Sequence, residues 1–155
     1  MRKSIYSFLI IASAGFLFSC GGGNVEELIV GNWTIEDASF ENMDEIINAY
    51  KQYEGEMTEA QIKDFKADMQ DDILGDIKGS VLDFKADNTV EIAGKEGTYS
   101  FNEDKTIIEA SRGGDETLKF HINEIKASTF DMVLEIPEDD IVMKIRITGK
   151  KAETK

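Results

Sequence analysis

One cysteine, one histidine, one proline and one tryptophan are all that this 155-residue chain holds of those four types. With Cys20 alone, no intramolecular disulfide can form. With His121 alone and no cysteine beyond Cys20, the usual zinc sites and Cys–His nucleophilic arrangements are excluded. Serine hydrolysis would need His121 paired with a serine and an acid, and no nucleophile elbow is present. Basic residues are scarce too: 17 against 31 acidic ones, a net charge of −14. That balance argues against nucleic acid and against electrostatic binding to an anionic membrane surface. The acids lack the fixed spacing and glycine hinge of a calcium loop. Asp68, Asp71, Asp72 and Asp76, and separately Glu138, Asp139 and Asp140, read as solvated faces. No sugar cleft for paired carboxylates is announced. The expectation is a protein with no catalytic residues, no metal and no cofactor.

What is present begins with an address. Met1-Arg2-Lys3 precedes an uncharged apolar run, Ser4 to Ser19. A basic start, a short apolar core and a small-residue end describe a secretory signal peptide over residues 1–19. The run is too short for a comfortable membrane span. Leu17-Phe18-Ser19-Cys20 resembles the bacterial lipobox, with a bulky Phe18 at its tolerant position. That resemblance implies lipidation of Cys20 and explains a leftover secreted cysteine. Each buried acyl methylene contributes roughly 0.8 kcal/mol, so two or three chains anchor a protein firmly to the membrane. Gly21-Gly22-Gly23-Asn24 follows, with no aspartate directly after Cys20, which implies the outer rather than the inner membrane of the cell envelope. Residues 20–27 read as the lipidated cysteine and a Gly-rich tether.

Leu28 to Phe40 reads as a first strand, with Trp33, Ile35, Asp37 and Ser39 on one side. The period then becomes helical. Met43, Ile46, Ile47, Tyr50 and Tyr53 share one face, opened by an Asn42/Glu45 capping box. Thr58 and Gln61 repeat the device before a second helix with Ile62, Phe65, Met69, Ile73 and Ile77 on its apolar face, stopped near Gly79. Beyond Ser80 the period is two, with turns at Asp87-Asn88, Gly94 to Gly97, Asn102 to Lys105 and Arg112 to Asp115. Pro137 opens a loop before the last alternating run, Ile141 to Thr148. His121, between Phe120 and Ile122, faces outward. Eight short antiparallel strands in simple succession predict an up-and-down barrel, because closure removes exposed edges. The division is a barrel over 28–149, a two-helix insertion over 42–79 between strands 1 and 2, and a frayed polar tail over 150–155.

The Gly31-Asn32-Trp33 opening resembles that of lipocalin-like bacterial lipoproteins. Phe84-Lys85-Ala86-Asp87-Asn88-Thr89-Val90, then Gly97-Thr98-Tyr99-Ser100-Phe101, is similar to that family's "FKADGTV … GTYSF" run. The resemblance spans Leu28 to Gly149 and implies a mainly β, calycin-type barrel. The helical pair departs from the plain pattern and is similar in position to the lid of fatty-acid-binding relatives; it either sits over one mouth of the barrel or packs flat against its outside. The inward set is then Trp33, Leu82, Phe84, Val90, Ile92, Tyr99, Phe101, Leu118, Phe120, Phe130, Met132, Leu134, Met143 and Ile145. A barrel of eight strands is either filled by such side chains or holds one small apolar ligand. For a carrier of a hydrophobic or amphipathic small molecule, the candidate contacts are Trp33, Phe84, Tyr99, Phe120, Phe130 and Met132, with Phe65 and Met69 from a helical lid beside Tyr50 and Tyr53. The alternative is a filled barrel whose surface binds another protein as an inhibitor, scaffold or assembly factor.

Overall fold

The computed structural model describes residues 24–112, 117–138 and 141–152. The expected signal segment 1–19 and Cys20 lie outside these residues. Eight strands, β1 (Gly31–Phe40), β2 (Val81–Phe84), β3 (Thr89–Ile92), β4 (Lys95–Phe101), β5 (Ile107–Ser111), β6 (Thr117–Ile125), β7 (Thr129–Glu138) and β8 (Ile141–Lys151), form a closed antiparallel barrel. Each pairs with its neighbours in sequence, and β8 returns to β1 from Trp33↔Lys151 to Phe40↔Ile145. Alternation sets the two faces: in β8, Met143, Ile145, Ile147 and Gly149 are buried while Arg146 and Lys150 are exposed. The expected inward residues are all buried except Phe101, which packs half-buried against the core. Ile29, Ile108, Ala110 and Ile147 join them.

Several boundaries differ from the sequence reading. Val25–Ile29 is a short helix, α1, so Leu28 is helical, β1 starts at Gly31, and part of the expected tether is ordered. Asn24 caps it, its side chain accepting from the Glu26 amide at 3.3 Å. A register shift between Ile35 and Asp37 breaks the alternation in β1. Ala38 therefore takes the next buried place, and Asp37 and Ser39 stay exposed. The turn expected over Gly94 to Gly97 is only Ala93-Gly94, both at positive φ, so β4 begins at Lys95. Pro137 lies within the end of β7, opposite Val142. Lys150 and Lys151 are not frayed: they complete β8, and the Ala152 amide donates to Asn32 O at 2.7 Å.

Between β1 and β2 run α2 (Met43–Glu54), α3 (Glu59–Met69), a π-helical turn (Gln70–Leu74) and α4 (Gly75–Ile77). The Thr58/Gln61 capping box forms as expected. The Asn42/Glu45 box does not form. The Asn42 side chain does not reach the α2 backbone: Nδ2 donates to Val142 O at 2.8 Å and to Glu45 Oε2 at 3.2 Å, and Oδ1 accepts from the Lys144 amide at 2.9 Å. The side chain thus pairs with β8 as a strand backbone would, which locks the start of α2 to the barrel. Ile46 and Ile47 are buried, whereas no residue of α3 is fully so. The π turn inserts an extra residue into the helical repeat and turns the apolar side. Leu74 is buried, and Ile73 and Ile77 pack on the barrel core.

Among the ion pairs of the outer wall, Arg146 and Asp131 form a two-pronged one. Arg146 Nε donates to Asp131 Oδ1 at 3.1 Å and Nη2 to Oδ2, while Asn123 Nδ2 adds a bond at 3.1 Å. The Arg146 hydrogen bond holds the Asp131 carboxyl below its ordinary pKa. A depressed carboxylate stabilises above its unfolded pKa, about 3.9, and that contribution disappears as pH falls through the folded value. Asp131→Asn should therefore lower the urea midpoint more at pH ~7 than at pH ~3. Equal losses at both pH values would assign the effect to packing. Asn42→Ala should cost about 1–3 kcal/mol, since it strands the Val142 carbonyl and the Lys144 amide. Asn42→Asp should also destabilise, because a carboxylate has no donor for Val142. Urea melts followed by far-ultraviolet circular dichroism measure both.

Candidate functional site

The strand directions give the barrel two unlike ends. Gly31, the turns at 85–88, 102–106 and 126–128, and Lys151 share one, with α1. Phe40, Ala93-Gly94, Ser111 and Ile141 lie towards the other, where the long helical insertion leaves and rejoins the sheet.

The α1 end is full. Trp33, wholly buried, donates from Nε1 to Ile29 O at 2.6 Å. Its ring meets Phe130 edge-on at 5.5 Å, and Lys151 Nζ lies over it at 5.0 Å. A β-carbon at Gly149 would come within 2.5 Å of the Phe130 ring and 2.4 Å of Thr34 O, so only glycine fits there. Deeper in, Phe84 stacks edge-on with Tyr99 at 5.1 Å and Phe120 at 6.3 Å. Tyr99 donates its hydroxyl to Lys85 O at 2.9 Å, and burial raises its phenol above the ordinary range. These rings fill the space that a long ligand would need.

The helical end keeps a partly enclosed cavity of about 200 Å³. Ile35, Leu82, Ile92, Leu118, Phe120 and Leu134 make its apolar wall, and Ile77 of α4 covers it beside Asp76, Ser80 and Arg112. An apolar cavity of about 150 Å³ accepts benzene, whereas drug-sized sites begin near 300 Å³. The space therefore suits one ring or a short acyl chain. Wider grooves lie outside it, about 750 Å³ between α1 and β6 and about 670 Å³ between the helices and β1. Both are more open to solvent, and a ligand site must bury most of its ligand.

Of the candidate contacts named from sequence, Phe120 lines the cavity. Trp33, Phe84, Tyr99, Phe130 and Met132 belong to the filled interior. Phe65 and Met69 sit half-buried on α3, and the Phe65 ring packs on Tyr50 at 4.7 Å, away from the cavity wall. Arg112 was read only as a turn residue, yet parity could have found it. In β5 Ile108 and Ala110 point inward, and Arg112 follows in the same phase. Its Nε is buried without a hydrogen-bond partner.

His121 is part-exposed on β6, its Nε2 3.2 Å from Glu135 Oε1 but not aligned for a hydrogen bond. Among the described residues, no group of three or more His, Cys, Asp or Glu is placed to hold a metal ion.

A five-residue helix has no stability of its own, so α1 depends on what it docks against. Trp33→Phe should lower the urea midpoint by an amount equivalent to about 1–3 kcal/mol, because the Ile29 carbonyl loses its buried donor. An unchanged midpoint would mean that α1 is held by other contacts. No family model matches the chain, and neither a curated protein nor a solved structure matches it.

Proposed function

We propose that this chain is a non-enzymatic envelope lipoprotein, anchored through lipidated Cys20, whose lipocalin-like up-and-down barrel binds one small hydrophobic or amphipathic molecule. The observation that carries the binding reading is the partly enclosed, largely apolar cavity beside α4, with its polar rim. Its size restricts the occupant to a single ring or short chain. In this reading the insertion between β1 and β2 acts through its last turns: Ile77 forms the cover, while the Tyr50 and Phe65 rings pack α2 against α3. The leader, with its basic start and its Leu-Phe-Ser-Cys ending, supports the anchor and the outer-membrane address.

A second reading has support of its own. Most of the interior is solid, and α2 exposes Tyr50 at 39% and Tyr53 at 66% on a strongly acidic protein. Aromatic residues are enriched at protein interfaces, and the charge would favour a basic partner protein.

Native mass spectrometry of the full chain purified from its own host addresses the anchor and the ligand together. The first reading expects a covalent diacylglyceryl mass on Cys20 and a small non-covalent adduct that solvent extraction removes. Leu134→Phe, which fills the cavity, should abolish the adduct and keep the lipid. A bare barrel that co-purifies with another protein would replace the carrier reading with the second one.

A further inference from the structure

The cavity wall is apolar except at one side, where Arg112 projects from the end of β5. A guanidinium carries five N–H donors and stays charged at any physiological pH. Here Nε is buried, has no hydrogen-bond partner, and Arg112 has no ion pair among the described residues. The other polar neighbours do not serve it. Ser80 Oγ donates to Asp76 O at 2.7 Å and makes no bond to Arg112, and Asp76 is exposed on α4. A buried, unpaired donor of a charged group is rare in folded proteins and asks for a partner. Arginine presents parallel N–H bonds that match a carboxylate, so the fitting partner is an anionic oxygen pair.

The geometry points to a ligand class: a small amphipathic anion, a carboxylate on a short apolar tail, with the tail among Leu82, Leu118, Phe120 and Leu134 and the carboxylate on Arg112. This inference rests on the carrier reading above and specifies the chemistry of that same cavity. Asp76 is the opposing charge on the rim. It disfavours a dianion and lowers the affinity for a monoanion, so it sets how strong the preference can be. Neutral molecules of the same shape keep the apolar contacts but leave Nε–H unpaired, and the cavity discriminates against them for that reason.

The test compares octanoate with octanol, titrated into the full chain by calorimetry and by methyl resonances of Leu82, Leu118 and Leu134. Octanoate should bind more tightly by roughly ten- to a hundredfold, the range for hydrogen bonds to a charged group. Its addition should move the cavity methyls and leave Val90 in place, since Val90 does not line the space. Arg112→Met should make the two affinities equal, Arg112→Lys should keep part of the preference, and Asp76→Asn should strengthen it. Circular dichroism and methyl dispersion confirm that each variant is folded. Equal affinity for octanoate and octanol in the wild type overturns the role of Arg112 while the cavity reading stands. Binding of neither, with no cavity methyl shift, overturns both. Octanoate shifts confined to residues outside the cavity would also overturn the assignment.

Discussion

The return of β8 to β1 is the constraint on which the rest of the molecule depends. It brings the first strand of the sheet against the last, with Asn42 bonded to Lys144 across 102 residues of chain. Closure over so long a loop carries an entropy cost that no single contact offsets. It holds because the cost is spread over a ladder from Trp33↔Lys151 to Phe40↔Ile145 and a continuous apolar interior behind it. The strand that closes the barrel cannot be straight. β1 pairs with β2 only from Gly31 to Thr34, and its register against β8 shifts between Ile35 and Asp37. That bend brings Ala38 to the buried side and sends the chain out towards the helices.

The two ends of the barrel solve the same problem differently. At one, the chain folds a single helical turn over the opening and pins it with an indole N–H and aromatic edges. At the other, a long insertion returns to the sheet, and a π-helical turn precedes the point where Leu74 and Ile77 pack on the barrel core. Side chains meet tightly in the first case. In the second, a helix end cannot match the curve of the strands, and about 200 Å³ is left between them. The candidate site is thus a residue of imperfect packing, which is also why it is small.

Alternation made most of the barrel legible, since Leu82, Phe84, Val90, Ile92, Phe130, Met132 and Leu134 are inward by simple parity. It failed where parity is interrupted. The bulge after Ile35 placed Asp37 and Ser39 on the wrong side, and Val25–Ile29 carries too few residues to show a helical period. Asn42 followed by Glu45 has the spacing of a cap, but a backbone partner a hundred positions away competes for the same amide and wins. The site was less legible than the fold. Large aromatic residues draw attention as ligand contacts, yet they are the side chains best able to fill space, so Trp33, Phe84 and Phe130 pack the interior. Arg112 continues the inward phase of Ile108 and Ala110, but beside two glycines it looks like part of a turn.

Trp33 is the only tryptophan in the chain, and its position has a spectroscopic consequence. Emission excited through indole comes from one known place, a dry pocket where the ring touches Phe130 and lies under the Lys151 ammonium. It reports on whether α1 is docked and the barrel is shut at that end. The indole does not line the cavity, so a molecule can enter there without touching it. The intrinsic fluorescence of this protein is a gauge of closure, and silence from it is no sign that the cavity is empty.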